Sequence, residues 1–212
     1  AIFGVIIGIP ALRLNGDYLA IVTLAFGEII RSVLNNVKFT GGAGGLKGID
    51  KTSNFTIAYI LVILTLIVIT NVVRSRHGRA IMAIRDNIIA AQSVGINIVY
   101  YKLVAFVGAA FFAGVAGVLY GHNLGILKPS TFDFNKSIEI LVIVVLGGMG
   151  NITGSVIAAI IITLLPEVLR DLADYRMLIY SIALIVMMLF SSNPTLVEFR
   201  KKIFKTKKGG NK

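Results

Sequence analysis

The 212-residue chain is 56% hydrophobic, carries only 15% charged residues and has a mean hydropathy of +0.86. Soluble domains average about 25% charged residues, so this composition excludes an ordinary soluble domain and predicts an integral membrane protein in a lipid bilayer. The formal charge is +11, but the basic side chains are concentrated in residues 74–102 and 200–212. That placement is typical of cytoplasmic segments facing anionic lipid and argues against nucleic acid as a partner. The absence of cysteine excludes thiolate metal sites.

The chain begins inside an apolar segment. Residues 1–12 are too short to span a bilayer, contain Pro10 near their end, and lack the basic start and cleavage site of a signal peptide. We interpret them as the end of a helix and expect the chain to be a fragment whose preceding helices are missing.

Residues 18–34 form the next apolar run, interrupted only by Glu28 and Arg31. These two residues are three apart and therefore share a helix face. An unpaired charge at the bilayer centre costs roughly 2.5–3.5 kcal/mol on insertion scales, so the pair is expected to face protein or an aqueous cavity. The residues alone leave open whether the pair serves transport or assembly.

A glycine-rich segment follows, with TGGAGGLKG at residues 40–48. A phosphate-binding loop requires Gly-Lys-Ser/Thr at the start of a helix, whereas here Lys47 precedes Gly48. We therefore expect no ATP binding here. The glycines instead predict a tight non-helical path over the outer mouth of the protein.

Residues 55–73 contain 19 residues without a charge, the length needed to cross roughly 30 Å of hydrocarbon. Residues 74–102 after them hold five basic side chains against the single acid Asp86. Short loops rich in Lys and Arg stay on the cytoplasmic side, so this basic segment fixes the orientation of its neighbours.

A short helix is predicted inside the basic segment. Asp86 or Asn87 suits its N-cap, residues 88–94 supply about two turns, and Gly95 suits the left-handed position that ends a helix. The predicted helix is partly apolar. It therefore either lies on the lipid headgroups or docks against a protein partner, and the local pattern favours neither.

Residues 103–121 form another apolar helix in which Ala109, Ala113, Gly117 and Gly121 lie four apart on one stripe. Small residues at this spacing predict a helix-packing face, which Gly154 and Ala158 repeat on the helix at residues 155–165.

Residues 137–146 are apolar but short, and they end in the glycine-rich LGGMGNITG. Half-length helices ending in glycines line cavities in many membrane proteins, so Glu139, Gly147, Gly148 and Gly150 are candidate pathway-lining residues. Glu139 is equally well explained as an interfacial carboxylate near a helix start.

A last crossing is predicted at residues 176–190, before the basic tail. Four crossings after the basic segment return the chain to the side of the membrane on which that segment lies, so the tail is predicted on the same side. We therefore predict a membrane domain at residues 1–199 and a cytoplasmic tail at 200–212.

No nucleophile–base pair, metal motif or cofactor fingerprint is present. The sequence thus favours a transport subunit over an enzyme and predicts no cofactor.

Several segments resemble one family in the same order: LRLNGDYLAIVTLAFGEIIRSVLNN with a following TGG, HGRAIMAIRDNIIAAQSVGIN, KLVAFVGAAFFAGVAGVLYG and SIEILVIVVLGGMGNITGSVIAA. They are similar to the LivM-like permeases of branched-chain amino-acid ABC transporters, whose members are longer at the N-terminus. The resemblance implies an all-α polytopic helical bundle with short or broken helices in the inner membrane. It implies a second permease subunit, two cytoplasmic ATPases and an extracytoplasmic binding protein that delivers leucine, isoleucine or valine for alternating access.

ABC permeases also carry a Glu-Ala-Ala…Gly loop that docks into the ATPase. The matching residues here are Ile89, Ala90, Ala91 and Gly95, with Arg85, Asp86 and Ile88 beside them. Ile89 replaces the glutamate of the general pattern, which rules out a salt bridge from that position. With the resemblance, docking is favoured over an interfacial helix.

Three alternatives remain open at this point. Related permeases carry urea or short amides. A stand-alone channel or secondary carrier would use Glu28 or Glu139 for ion coupling. A non-transporting scaffold or sensor would use the basic segment as a signalling surface.

Overall fold

A computed structural model describes residues 1–14, 17–168 and 185, and most of them are helical. The α-helices described are α1 (Ile2–Ala11), α2 (Asp17–Asn36), α3 (Phe55–Arg74), α4 (Arg76–Asp86), α5 (Ile88–Ser93), α6 (Ile98–Leu124), α7 (Phe134–Gly147) and α8 (Ile152–Val168). Two short strands, β1 (Leu46–Lys47) and β2 (Ile126–Leu127), and three 3₁₀ turns complete the regular secondary structure of the described residues. The predicted all-α class is confirmed. The chain divides into two compact units, Ala1–Phe134 and Asn135–Lys212.

Three described helices are long and apolar enough to cross a membrane: Tyr18–Asn36, Phe55–Arg74 and Ile98–Leu124. They correspond to the three long apolar runs of the sequence. The third is longer than its predicted 103–121, because a helix continues through polar residues at the edge of the hydrocarbon. The crossing predicted at residues 176–190 and the tail at 200–212 lie outside the described residues.

α1 packs against α6 in the first unit. Gly4, Gly8 and Ala11 form the buried face of α1. A Cβ added to Gly4 would lie 2.7 Å from Cβ of Ala110, and one added to Gly8 would lie 2.9 Å from Leu103 Cδ1. Glycines four residues apart let the two helices approach closely, and dispersion contacts then hold them together.

The glycine-rich loop (residues 37–54) contains no α-helix, but it includes two short 3₁₀ turns that the sequence does not predict. Two 3₁₀ turns lead into β1, which pairs antiparallel with β2 so that Leu46 lies opposite Leu127. Gly45 has φ +76, and a Cβ there would lie 2.5 Å from the Leu127 carbonyl oxygen. Only glycine permits both this backbone conformation and this approach. His122 Nδ1 adds a hydrogen bond to the Asp50 carbonyl oxygen at 2.8 Å.

The second unit contains the hairpin of α7 and α8. α7 has 14 residues, which agrees with the short helix predicted there. Gly148 and Gly150 in the turn both have positive φ, at 87° and 85°. The Asn151 side chain accepts a hydrogen bond from the Gly154 amide at 3.2 Å, which caps α8. α8 continues past its predicted end at residue 165 and includes Pro166.

Candidate functional site

The segment from α3 to α5 is almost continuously helical. Ser75 alone separates α3 from α4, and Asn87 alone separates α4 from α5. Ser75 Oγ donates to the Val72 carbonyl oxygen at 2.6 Å and accepts from the Gly78 amide at 3.2 Å. One side chain therefore closes the end of α3 and the start of α4.

The short helix α5 begins at Ile88 as predicted and ends at Ser93, one residue before the predicted end. Asn87, rather than Asp86, is its N-cap, because the Asn87 side chain accepts a hydrogen bond from the Ala90 amide at 3.0 Å. Asp86 is the last residue of α4. Gly95 has φ +80 beyond the end of α5, and the Ile96 amide donates to the Ala91 carbonyl oxygen at 3.1 Å. These are a side-chain cap at one end and a glycine termination at the other.

The residues predicted to dock do not all face outward. Ala91 is 2% exposed and lies in the interior of the chain, whereas Ile89 is 77% exposed. Ile88 and Ala90 are exposed as well. In this chain Ala91 therefore supports α5 from beneath, and the surface open to a partner is formed by the apolar side chain of Ile89 and its exposed neighbours.

Arg85 and Asp86 form an ion pair at the end of α4. Arg85 Nη2 and Nε both donate to Asp86 Oδ1, at 2.8 and 3.0 Å. The two side chains are 51% and 67% exposed. An ion pair this exposed contributes at most about 1 kcal/mol to stability, so its main effect is to neutralise two charges beside α5.

Two open cavities lie on the inner side of α5. The first, about 450 Å³, is walled mainly by Leu12, which follows α1, and by apolar side chains of α2, α4, α5 and α6. The second, about 670 Å³, is walled by more polar residues around α5 and the start of α6. Both include Leu12, Ile88 and Lys102, so they adjoin. Sequence patterns do not indicate these cavities, because their walls combine the end of α1 with α5 and α6, which are distant from it along the chain.

The residues predicted to line the pathway lie on α7 and in the turn that follows it. Glu139 accepts from Lys136 Nζ at 2.8 Å near the start of α7, and its side chain is 31% exposed. Gly147 is buried where α7 meets α8, with the Ser155 backbone at the position of its missing Cβ. Gly148 and Gly150 form the turn. A pathway-lining role for these four residues stays a prediction.

The two stripes of small residues differ. Gly154 and Ala158 are buried within the second unit, and a Cβ added to Gly154 would meet the Gly147 carbonyl oxygen. Ala109 and Ala113 are exposed, and nothing in the described residues lies within 4 Å of a Cβ built on Gly117. Their packing role stays a prediction.

Gly121, at the end of the first stripe, is buried, and the side chains of Ile49 and Leu127 lie 3.6 Å from a Cβ built there. This end of the stripe thus packs against the glycine-rich loop and β2 rather than against another helix.

Glu28 and Arg31 share one face of α2 and form an ion pair of 2.6 Å, with side chains 38% and 34% exposed. Their predicted pairing is present, and what faces the pair beyond this chain stays a prediction.

An all-α chain with several apolar helices of membrane-spanning length is a multi-pass membrane protein. The family model described as the permease component of branched-chain amino acid transport systems matches residues 1–191. The chain belongs to this family.

The relatives agree with the family model. The chain is 37% identical to the high-affinity branched-chain amino acid transport system permease protein LivM of Escherichia coli, over 99% of this chain and 57% of that protein. It is 38% identical to LivM of Salmonella typhimurium over 88% of this chain and 52% of that protein. LivH of Salmonella typhimurium is 33% identical over 52% of this chain and 36% of its own length. The chain thus spans slightly more than half the length of the LivM proteins. No solved structure matches it.

Proposed function

We propose that the chain is part of an inner-membrane permease subunit of an ABC importer that moves leucine, isoleucine and valine into the cell. Two findings support this: the family model covers most of the chain, and its relatives carry the name of branched-chain amino acid permeases. ATP hydrolysis then belongs to two partner ATPases rather than to this subunit. A second permease subunit and an extracytoplasmic binding protein complete the importer.

The observation that carries the docking role is the geometry of α5. This helix of six residues is capped at both ends and presents Ile89 outward, within the basic segment at residues 74–102 that is predicted to be cytoplasmic. A small helix whose apolar side chain is open to solvent suits a protein partner. With isoleucine at position 89, the proposed contact with the ATPase is apolar, and the Arg85–Asp86 pair lies at its edge.

Alternating access follows from this contact in the proposal. ATP binding closes the two ATPases, and α5 moves with the ATPase surface to which it is docked. Because α4 follows α3 after a single residue, the displacement reaches a membrane-spanning helix directly. The α7–α8 hairpin, with Glu139 and the glycines at 147, 148 and 150, is our candidate for the pathway wall.

The test uses the full-length permease with its partner permease, ATPases and binding protein in liposomes. ATP-dependent leucine uptake is compared for wild type, Ile89→Arg and Ile89→Leu. Arginine places a charge in an apolar contact, and we expect at least a tenfold loss of both ATPase association and uptake. Leucine keeps the apolar surface and should retain both activities.

Full uptake by Ile89→Arg would exclude α5 as the docking contact. Wild-type protein that takes up none of leucine, isoleucine and valine would point to urea or short amides as substrates. Uptake that persists without the ATPases would instead support a channel or secondary carrier.

A further inference from the structure

The two adjoining cavities beside α5 form one groove whose two ends differ in chemistry. The first cavity is walled by side chains that are mostly aliphatic or aromatic: Leu12, Leu19, Ile81, Ile84, Ala105 and Phe106. The second adds the polar and basic side chains of Arg13, Gln92 and Asn97. Lys102 lies in both walls. A groove that is apolar at one end and cationic at the other matches an amphiphile with a negative headgroup.

The positive charge of this groove is available to a ligand. Arg85 also lines the first cavity, but Asp86 neutralises it. Lys102 and Arg13 form no ion pair among the residues that the structure describes. Neither wall contains an aspartate or a glutamate. A zwitterionic amino acid would find no carboxylate there for its ammonium group, so the charge pattern suits an anion.

The position of the groove selects the kind of anion. Lys102 lies close to the start of α6, a helix long and apolar enough to cross a membrane, and Arg13 follows the end of α1. Basic side chains near the end of a membrane-spanning helix lie at the depth of the lipid phosphates. Basic pockets between such helices bind anionic headgroups. The apolar cavity of about 450 Å³ falls in the size range of small-molecule sites.

We propose that this groove is a binding site for one anionic phospholipid. An acyl chain occupies the apolar cavity, and the phosphate group lies at Arg13 and Lys102. Ile88 and Gln92 of α5 line the groove, so the bound lipid supports the short helix from its inner side. This site does not depend on the proposed transport function, because its ligand and its test are separate from uptake.

The experiment measures lipid binding to the purified full-length protein in detergent micelles. Phosphatidylglycerol and phosphatidylcholine are added in turn, and native mass spectrometry gives the affinity of each. We expect preferential binding of phosphatidylglycerol to the wild type. Lys102→Gln and Arg13→Gln should each weaken it about fivefold, and the double variant about 25-fold, at the energy of one basic side chain near anionic lipid.

Matched variants separate a built site from general charge. Arg76→Gln removes a basic residue of the same segment that lies in neither cavity wall, and it should leave the affinity unchanged. Ala105→Phe fills the apolar cavity at constant charge and should weaken binding, whereas Lys102→Arg should retain it. Inorganic phosphate, which has no acyl chain, should not displace the lipid.

Two results would overturn the proposal. One is equal affinity of the wild type for phosphatidylglycerol and phosphatidylcholine. The other is an equal loss in Arg76→Gln and Lys102→Gln, which would mean attraction to the whole basic segment and leave the groove to a protein partner.

Discussion

The two ends of α6 are connected to the rest of the first unit in opposite ways. Before its start lies α5, a short helix with caps at both ends and an outward apolar side chain. After its end, β2 pairs with β1 of the glycine-rich loop, where backbone approaches backbone at Gly45. One end is thus a short capped helix with an open surface. The other is fixed by positions at which no side chain fits.

This contrast shows where each end tolerates change. At the α5 end, the outward side chain of Ile89 can be replaced without disturbing the chain, whereas the inward Ala91 is constrained by its burial. At the glycine end, the backbone itself is the constraint, so the addition of one methyl group matters. Three pairs of substitutions test this contrast.

The largest effect is expected for Ala91→Arg. Ala91 is 2% exposed, so arginine there buries an unpaired charge, which costs about 3 kcal/mol or more in the free energy of unfolding. The control is Ile89→Arg on the same helix, where the side chain is 77% exposed and the change should stay within about 0.5 kcal/mol. Thermal unfolding in micelles measures both. Equal midpoints for the two variants would mean that α5 does not pack on the chain through Ala91.

The next effect is expected for Gly45→Ala, compared with Gly48→Ala. Both glycines have positive φ, at 76° and 79°, so alanine is strained at either position. A Cβ at Gly45 would also lie 2.9 Å from Lys128 Cα, whereas nothing lies within 4 Å at Gly48. Overpacking costs about 1–3 kcal/mol, and we expect Gly45→Ala to be the less stable variant by this amount. The same unfolding measurement checks it, and two equal losses would refute the close approach of β1 and β2.

The smallest effect is expected for Asn87→Ala, which removes the cap of α5 and costs about 1 kcal/mol. Asn97→Ala is the matched change, because the Asn97 side chain caps α6 by accepting from the Tyr100 amide at 3.1 Å. Amide hydrogen exchange should accelerate throughout α5 in the first variant, since so short a helix does not persist alone. In the second it should accelerate only in the first turn of α6. Unchanged protection of α5 in Asn87→Ala would show that packing alone holds it.

Local features of the fold follow directly from the sequence. The uncharged run at residues 55–73 predicts α3, which the structure gives as Phe55–Arg74, because length and hydrophobicity alone define a spanning helix. Asn87 and Gly95 mark the ends of α5, since capping depends on residues within one turn.

Contacts between distant segments do not follow from the sequence. The sequence of residues 46–47 does not predict residues 126–127 as their strand partner, and Gly4 and Gly8 do not predict packing against α6. The sequence also does not predict which face of α5 is buried. A two-turn helix of mixed polarity has no dominant face, and which residue turns inward depends on the neighbouring helices. For this reason the sequence pattern places Ala91 with the docking residues, whereas the structure buries it.

The one-residue joints at Ser75 and Asn87 have a mechanical consequence. α4 has 11 residues and is therefore about 16 Å long, at 1.5 Å of rise per residue. It is a short rod between two joints of one residue each, and neither joint has spare length that could absorb a displacement by stretching. A displacement of α5 would therefore be passed through α4 to Ser75 and the end of α3. Glycines inserted beside Ser75 would lengthen this joint, which would then bend instead of passing the displacement to α3.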